Sequence, residues 1–506
     1  MKNINAIIVL LLSLFTLVSC NEVLDEQPET FFNEEQIFSS EEGVESAING
    51  LYQSFADPGY HGSSIHGLVA PFSGKFWSNQ GASQDATSLN CLPNNTWLTR
   101  LWPAMYSTIN VSNVIIDNLE NTSLELANKD IALGQAYFIR AATYFDLVRY
   151  FGGVPLKTKP TTAQTLHTAR SSVEETYDLI IADFEKAKQL LPNAGEYLVD
   201  RPIKTAANAY LAKVYMTLAS ASNDRAMWQA AYDEAIQVYG KYALTPTYAE
   251  LFELGNENTT EAIFEIQYGA NGAVRNSDLI RFFTLKDLYN YETFGRVRPN
   301  KETYDQHITQ YPGDPRIDAT FIANSYTTYD GRVIRLYPVQ RNGNDGYTAI
   351  KKYLEPNFNG TTTNINLVKI RYADVLLMLA EIENELNGPT DAYKYVNEVL
   401  TRARNTPTGV AAQPANWSGL TQDEFRKRIM RERQYELLGE NHEFFDTRRR
   451  GYEYFLEEVV ETHNTATKGN RDFVYPVSVK NMLLPIPSNE ISGNQKITQA
   501  DQNPGY

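Results

Sequence analysis

The sequence contains few residues that build covalent cross-links or metal sites. Among its 506 residues are 2 cysteines and 6 histidines. Two cysteines allow at most one disulfide bond, so the stability of a chain of this length must come from packing. His61 and His66 lie close together near Asp57, but two histidines five positions apart on a glycine–serine stretch are weak evidence for a ligand set. We therefore expect no metal site and no bound cofactor.

The chain also lacks an excess of positive charge and lacks catalytic motifs. Its formal net charge is −16, which excludes the basic footprint of a nucleic-acid-binding protein. It contains no G-x-S-x-G, no H-E-x-x-H, no Walker loop and no dinucleotide fingerprint. No motif singles out a catalytic carboxylate pair among the 61 acidic residues. We expect no nucleic-acid partner and no catalytic residue.

Two local basic runs are interrupted by acidic residues. RKRIMRER spans Arg426 to Arg433, and RRR spans Arg448 to Arg450. Acidic side chains are interleaved with both runs, so we interpret them as a solvated or salt-bridged helix face.

The N-terminal segment predicts export and a lipid anchor. Lys2 precedes the uncharged apolar run Ala6 to Val18, which has the length of a signal-peptide core and is too short to span a bilayer. The following L-V-S-C resembles a bacterial lipobox, so residues 1–19 would be a signal peptide and Cys20 would carry acyl chains such as palmitate. The alternative is an ordinary signal peptide with a chance cysteine. No later run is long and apolar enough for a second span.

Apolar periodicity predicts a mainly α-helical chain. An acidic tether over residues 20–40 leads to helical patterns at about 41–55, 101–240 and 369–450. Ser172 and Glu175 form a capping box, and Gly152 follows a strong helical stripe. Trp102 and Trp228 fit core stripes. The spacing is compatible with helix–turn–helix repeats, although a generic helical bundle would show the same pattern.

Two segments break this pattern. Residues 56–100 are rich in Gly, Ser, Asn and Pro, and residues 241–365 alternate at period two in places. We expect a long irregular region over 56–100 and short strands with long loops over 241–365. Long irregular segments in compact chains are often functional or disordered. Cys91 lies in the first segment with no neighbouring base, and we expect it to be buried and inert.

Six stretches together resemble the SusD/RagB family of surface glycan-binding lipoproteins of Bacteroidetes-type bacteria. They occur in the family's order and cover nearly the whole chain. They are the lipobox with LDEQPET; FIRAATYFDLVRYFGGVPL; SVEETYDLIIADFEKAKQLLP; KIRYADVLLMLAEIENELNGP; RERQYELLGENHEFFDTRRRG; and the ending LLPIPSNEI with QNPGY.

The resemblance implies a fold, a partner and a location. The helices would form about four tetratricopeptide-like pairs, and residues 56–100 and 241–365 would form a loop-rich lobe with the ligand site, all within one domain over 41–506. The partner would be a TonB-dependent outer-membrane barrel of the SusC type. The protein would capture an oligosaccharide or polysaccharide without catalysis and pass it to the barrel. It would be lipid-anchored in the outer membrane and face the exterior.

Glycan binding requires aromatic faces for sugar rings and polar groups for hydroxyls. The chain has 32 tyrosines and 5 tryptophans. In the first irregular segment we select Trp77 and Trp97 as platforms, Asp85 as an acceptor and Asn79 as a weaker polar candidate. In the second we select three further residues: Tyr289, Tyr291 and Arg296.

Other functions remain open at this point. The same acidic and aromatic loops would suit a surface-tethered glycoside hydrolase. The cargo would alternatively be a peptide or a glycoprotein, or the repeats would serve as a protein-recruiting scaffold without a ligand.

Overall fold

The computed structural model describes residues 34–195, 200–269, 276–337, 347–466 and 474–506. The expected signal segment, Cys20 and the first part of the tether lie outside these ranges. None of the helices in the described ranges is long and apolar enough to cross a membrane.

Helices dominate these ranges. Those of seven residues or more are α1 (Glu41–Phe55), α2 (Leu98–Asn121), α3 (Lys129–Phe151), α4 (Val173–Leu190), α5 (Lys204–Ser222), α6 (Arg225–Ala235), α7 (Lys301–Gln310), α8 (Tyr372–Asn387), α9 (Pro389–Ala403), α10 (Gln422–Leu437) and α11 (Glu443–Arg449).

Shorter helical turns connect these elements. The α-helical ones are Glu34–Ile37, Pro58–His61, Ala70–Phe72, Gln84–Thr87, Leu279–Phe283, Pro315–Thr320, Tyr452–Phe455, Thr462–Ala466 and Ser488–Gly493. The 3₁₀ turns are Gly81–Ser83, Ala249–Phe252, Val479–Met482 and Gln499–Asp501, and π-helical turns occur at Ile65–Val69 and Leu456–Glu461.

The strands are short and pair two by two. They are β1 (Phe76–Ser78), β2 (Ala262–Ile266), β3 (Val297–Pro299), β4 (Phe321–Ile322), β5 (Ser325–Thr327), β6 (Val333–Arg335), β7 (Ala349–Ile350), β8 (Leu367–Arg371), β9 (Asn405–Thr406) and β10 (Gly409–Val410). β1 pairs with β3, β2 with β8, β4 with β7, β5 with β6 and β9 with β10, all antiparallel.

Helix ends follow the local signals in the sequence. The Ser172 hydroxyl accepts from the Glu175 N–H at 3.0 Å, and the Glu175 carboxylate accepts from the Ser172 N–H at 2.8 Å, so the predicted capping box starts α4. Gly152 ends α3 at a φ of 74°, a conformation that favours glycine.

Sequential helices pack as pairs. α1 contacts α2, α3 contacts α4, α5 contacts α6, and α8 contacts α9. α6 and α10 both pack on α8, which links the N-terminal and C-terminal pairs. The prediction of a mainly α-helical scaffold of helix pairs with a strand-containing, loop-rich part is confirmed.

The core predictions for individual residues also hold. Trp102 and Trp228 are each 3% exposed, and the Trp102 indole N–H donates to Glu490 at 3.0 Å. Cys91 is fully buried, and burial raises the pKa of its thiol.

Several elements differ from the expectation for the irregular segments, among them the short helical turns between Pro58 and Thr87. β1 lies in the segment expected to be loop, because its partner β3 is distant in sequence and three residues are too few to show a period. α7 lies where strands and loops were expected. Its sequence KETYDQHITQ is mostly polar and buries few apolar groups, so the apolar periodicity that marks a helix is weak.

A buried ion-pair network joins the loop-rich part to the scaffold. Glu436 in α10 pairs with Arg316, Arg371 and Arg402, whose side chains come from three separate segments. The other members of the network are Asp314, Glu261, Glu432, Lys352 and Glu440. The predicted salt-bridged helix face is therefore present, but α10 directs several of its charges into the core.

Arg371 lies at the centre of this network. It is 2% exposed, its Nε donates to Glu440 at 2.7 Å, and one Nη donates to Glu261 at 2.6 Å and to Glu436 at 2.7 Å. Burial alone would raise the pKa of the Glu440 carboxyl, but the charges of Arg371 and Lys352 lower it to about 2. The carboxylates remain ionised because the arginine neutralises them.

We predict that Arg371→Leu destabilises the protein by about 3–5 kcal/mol, because it removes one buried cation from three buried carboxylates, Glu261, Glu436 and Glu440, whose remaining cations then leave a net negative charge in the core. Urea unfolding measures the change. Arg332→Leu is the matched control, since the Arg332 side chain is 56% exposed and pairs with Asp287 and Asp330 at the surface. That control should cost less than about 1 kcal/mol. Equal losses in both variants would contradict the central role of Arg371.

Glu443 predicts a pH dependence of stability. Burial raises the pKa of its carboxyl from 4.5 to about 7. When the pKa of an acid is higher in the folded state than in the unfolded state, its contribution to the free energy of unfolding is fully present below the unfolded-state pKa. That contribution is lost as the pH rises through the folded-state pKa. Relative to Glu443→Gln, the wild type should therefore lose about 2–3 kcal/mol between pH 5 and pH 8. Denaturant unfolding of both proteins across this range measures the difference, and a constant difference would contradict the prediction.

Candidate functional site

The two segments predicted to carry the ligand site meet in the fold. β1 from the first segment pairs with β3 from the second, with Trp77 opposite Arg298. Trp97 also contacts the second segment, since its ring lies 5.8 Å from that of Phe282. The two segments therefore adjoin in the fold, and the candidate residues differ in exposure.

Trp77 is a packed side chain. It is 8% exposed, and its ring stacks on Tyr347 at a centroid distance of 4.6 Å and an interplanar angle of 12°. Tyr347 is itself buried and receives the Lys301 ammonium group 4.9 Å from its ring centroid. A sugar ring that stacked on Trp77 would need the ring face that Tyr347 already covers.

Trp97 is also packed. Its indole N–H donates to the Ser83 hydroxyl at 3.2 Å, and Arg100 lies 5.4 Å from its ring centroid. A Cβ at Gly67 would lie 2.6 Å from the Trp97 indole nitrogen, so position 67 leaves space for no side chain. The indole is held by the fold on several sides.

Asp85 and Asn79 differ in their hydrogen bonds. The Asp85 carboxylate accepts from the Asn95 side chain at 2.7 Å and from the Leu92 N–H at 3.0 Å, which closes the loop between them. Asn79 is half-buried, and its side chain makes no hydrogen bond within the described part of the chain. The polar groups of the Asn79 side chain are therefore available to a ligand, whereas both carboxylate oxygens of Asp85 already accept hydrogen bonds from the loop.

Tyr289 and Tyr291 form a partly exposed aromatic pair. Their rings stack at a centroid distance of 5.6 Å and an angle of 25°. The Tyr291 hydroxyl donates to the Glu355 carbonyl at 2.5 Å, and its ring packs edge-on against Phe358 at 5.4 Å. Tyr291 is thus held in place, while the Tyr289 hydroxyl has no hydrogen-bond partner among the described residues.

Arg296 lies at the base of the same loop. Its guanidinium group covers the Phe294 ring at 4.0 Å, and the side chain is half-buried. No carboxylate or carbonyl of the described residues accepts from it. A cation held flat on a ring with unused N–H donors is suited to hydroxyl or carboxylate groups of a ligand.

The loop that carries the tyrosines is braced by the β5–β6 hairpin. The Tyr326 hydroxyl donates to the Lys286 carbonyl at 2.9 Å, and the Tyr329 N–H donates to the Asp287 carbonyl at 2.9 Å. Arg332 adds an ion pair to Asp287 at 3.0 Å. Tyr329 on the hairpin turn is 56% exposed, and its main chain adjoins the loop at Asp287.

We call Tyr289, Tyr291 and Tyr329 the tyrosine surface. Burial raises the pKa of the Tyr289 hydroxyl and, together with Tyr289 and Glu355, that of the Tyr291 hydroxyl, so both stay neutral at physiological pH. The region therefore offers neutral aromatic faces, a neutral hydroxyl and one guanidinium group.

Sequence reasoning passed over Tyr329 and the supporting rings Phe294 and Phe358. Phe294 lies within the loop that was selected, but nothing in the sequence shows that Arg296 stacks on it. Tyr329 lies in the turn YDG between two short strands, and an exposed aromatic at such a turn is the signal that would have identified it.

Comparisons with known proteins agree with this architecture. A model of the SusD family matches residues 210–506, and a second model, described as starch-binding associating with outer membrane, matches residues 22–216. The chain is 29% identical to SusD-like protein P2 of Formosa agariphila over 522 aligned residues, which cover 97% of this chain and 98% of that protein.

Solved structures share the fold. A SusD homolog from Bacteroides thetaiotaomicron superposes with a TM-score of 0.76 at 22% identity, covering 94% of this chain and 99% of that one. A laminarin-binding SusD-like protein superposes with a TM-score of 0.69 at 21% identity, covering 92% and 100%.

Because Trp77 is buried, we predict that its side chain contributes mainly to the stability of the fold. Trp77→Ala should destabilise the protein by about 3–5 kcal/mol, because it leaves a cavity beside Tyr347. Tyr289→Ala should cost less than about 1 kcal/mol, because the ring is partly exposed. Denaturant unfolding of both variants provides the comparison. A larger loss in Tyr289→Ala than in Trp77→Ala would contradict these placements.

Proposed function

The chain belongs to the SusD family, and from this premise we propose that it is a non-catalytic glycan-binding protein of the outer membrane. It captures an oligosaccharide or polysaccharide at the tyrosine surface. The observation that carries the proposal is the partly exposed Tyr289–Tyr291 stack with the nearby Arg296, whose donors have no acceptor in the described part of the chain. Related structures are named for binding laminarin and for a complex with a xylogluco-oligosaccharide, which supports the glycan class.

The chemistry of the surface fits a neutral sugar chain. Sugar C–H faces stack on aromatic rings, and the hydroxyls need donors and acceptors because an unpaired buried hydroxyl costs about 1–3 kcal/mol. The Tyr289 hydroxyl and the Arg296 guanidinium supply these groups. Asn79 is a further polar candidate on the β1 side of the region.

The geometry favours binding with little reorganisation. Tyr291 is already fixed by the Glu355 carbonyl and Phe358, and the hairpin braces the loop. A platform that is ordered before binding loses less conformational entropy when the ligand arrives. The surface is open, so binding of an extended polymer rather than enclosure of a small molecule is expected.

We also propose how the protein is placed and what it serves. Cys20 carries the lipid anchor, the acidic segment after it is a tether, and the binding lobe faces the cell exterior. The partner is a TonB-dependent barrel of the SusC type, which receives the captured glycan. Support comes from the L-V-S-C pattern in the sequence and from the family description that associates such proteins with the outer membrane.

Affinity electrophoresis tests the proposal. The lipid-free protein, beginning after Cys20, is run in native gels cast with a panel of polysaccharides. We expect retardation by one polymer, and we expect Tyr289→Ala and Arg296→Met each to weaken that binding about tenfold through loss of a stacking face or of charge-assisted hydrogen bonds. Tyr239→Ala is the matched control, since Tyr239 is an exposed tyrosine of the helical part that stacks edge-on against Tyr395.

Three outcomes would count against parts of the proposal. Retardation that survives both site variants would move the site away from the tyrosine surface. Absence of retardation by every polymer and of binding to their oligosaccharides would favour a peptide or glycoprotein cargo. Release of reducing ends from the retarding polymer would identify a glycoside hydrolase instead.

A further inference from the structure

A pocket lies in the helical part of the molecule, and none of its lining residues belongs to the tyrosine surface. It has a volume of about 260 Å³ and is formed where α3, α5, α10 and α11 meet. Its mouth is bordered by Ala221, which is exposed, and by the half-buried Thr217, Met482 and Leu483. The pocket therefore opens to solvent between the end of α5 and the segment around Met482.

The pocket lining combines apolar and cationic side chains. Met216, Phe445 and Leu483 provide apolar wall surface. Five cationic side chains line the pocket, with Asp446 as the single carboxylate in the lining: Arg149, Lys213, Arg433, Arg448 and Arg449. Such a combination favours a ligand with an apolar body and an anionic group.

Arg149 presents a free donor to this pocket. Its guanidinium group lies between the rings of Phe145 and Phe445, 3.6 Å and 3.5 Å from their centroids. Its Nε donates to the Phe145 carbonyl at 3.0 Å, and Nη2 donates to Asp146 at 2.5 Å. Nη1 makes no hydrogen bond within the described part of the chain. The two rings hold the guanidinium plane, so this donor has a fixed direction.

Arg448 gives the pocket a positive charge that no carboxylate balances. It is 7% exposed and donates to the carbonyls of Phe72, Phe444 and Asn481 and to the Thr447 hydroxyl, which are all neutral acceptors. Burial lowers the pKa of its guanidinium group to about 9. A buried cation without a counter-charge is unfavourable, and a nearby anion would relieve that cost.

The remaining cations share their carboxylates. Lys213 and Arg433 both pair with Asp374, at 2.6 Å and 2.8 Å. Arg433 and Arg449 both pair with Asp446 at 3.0 Å and 2.9 Å. Arg449 also pairs with Glu381 through both of its Nη atoms, so three carboxylates balance these three cations, and the unbalanced charge of the lining is that of Arg448.

We propose that this pocket binds a small carboxylic acid with an aromatic or aliphatic body. The carboxylate accepts from Nη1 of Arg149 in a lining that also holds the unbalanced charge of Arg448, and the apolar body contacts Met216, Phe445 and Leu483. A phosphate or sulfate would make no use of the apolar lining, and a neutral sugar would leave the charge of Arg448 unbalanced. This site is separate from the tyrosine surface and does not depend on glycan binding.

Phenylacetate is a suitable probe, with phenylacetamide as its uncharged isostere. Isothermal titration calorimetry of the lipid-free protein should show saturable binding of phenylacetate in the micromolar-to-millimolar range and at least about tenfold weaker binding of phenylacetamide. Arg149→Lys keeps the charge but loses the planar fork, and it should weaken phenylacetate binding about tenfold.

Ala221→Trp tests the location without removing a charge. Ala221 is exposed, so an indole there should leave the melting temperature unchanged while it closes the mouth and abolishes phenylacetate binding. Ser222→Trp places the same ring on the neighbouring exposed position of α5, outside the pocket, and should bind as the wild type does. Equal binding of the acid and the amide, unchanged binding by Ala221→Trp, or absence of saturable binding would each overturn the proposal.

Discussion

The buried charges of α10 are the constraint on which the rest of the structure depends. Glu432 and Glu436 lie one turn apart on the buried side of this helix, and Glu440 is buried in the turn that follows the helix end at Leu437. Three arginines from distant segments must reach these carboxylates, because carboxylates buried without a counter-charge would be strongly unfavourable. Satisfying them brings the loop-rich part and the helix pairs together in a defined arrangement.

This requirement explains why so irregular a region has a definite conformation. The strands there have two to five residues and pair only two by two, which is too little to hold a sheet together. A small apolar cluster of Leu285, Leu336 and Ala349 adds some burial. The arginine and lysine contacts to α10, together with the strand pairs β1–β3 and β2–β8, provide the remaining attachment. The loop-rich part is therefore held to the helices mainly by buried ion pairs and two strand pairs.

Much of the scaffold was predictable from local signals, and the network was not. The capping box at Ser172, the stop at Gly152 and the apolar stripes are encoded within a few residues, so helix positions follow from them. The partners of Glu436 lie at Arg316, Arg371 and Arg402, and a carboxylate on a charged helix looks the same in sequence whether it faces water or the core. The same limit applies to the aromatics. Residue type and region pointed to Trp77 and Tyr289 alike, but only packing shows that Trp77 is covered by Tyr347 and that Tyr289 is partly open.

The loop that displays Tyr289 and Tyr291 is attached largely through main-chain oxygens. The carbonyls of Leu285, Lys286, Asp287 and Glu355 accept the bonds that tie it to its own base, to the hairpin and to the neighbouring loop. A carbonyl is present whatever side chain its residue carries. Tyr291 supplies one of these bonds through its own hydroxyl, but the side chains of Tyr289 and Arg296 supply none of them, so these two side chains can change without removing a bond that shapes the loop. The ligand preference of this loop can therefore change at these positions while its backbone keeps the same conformation.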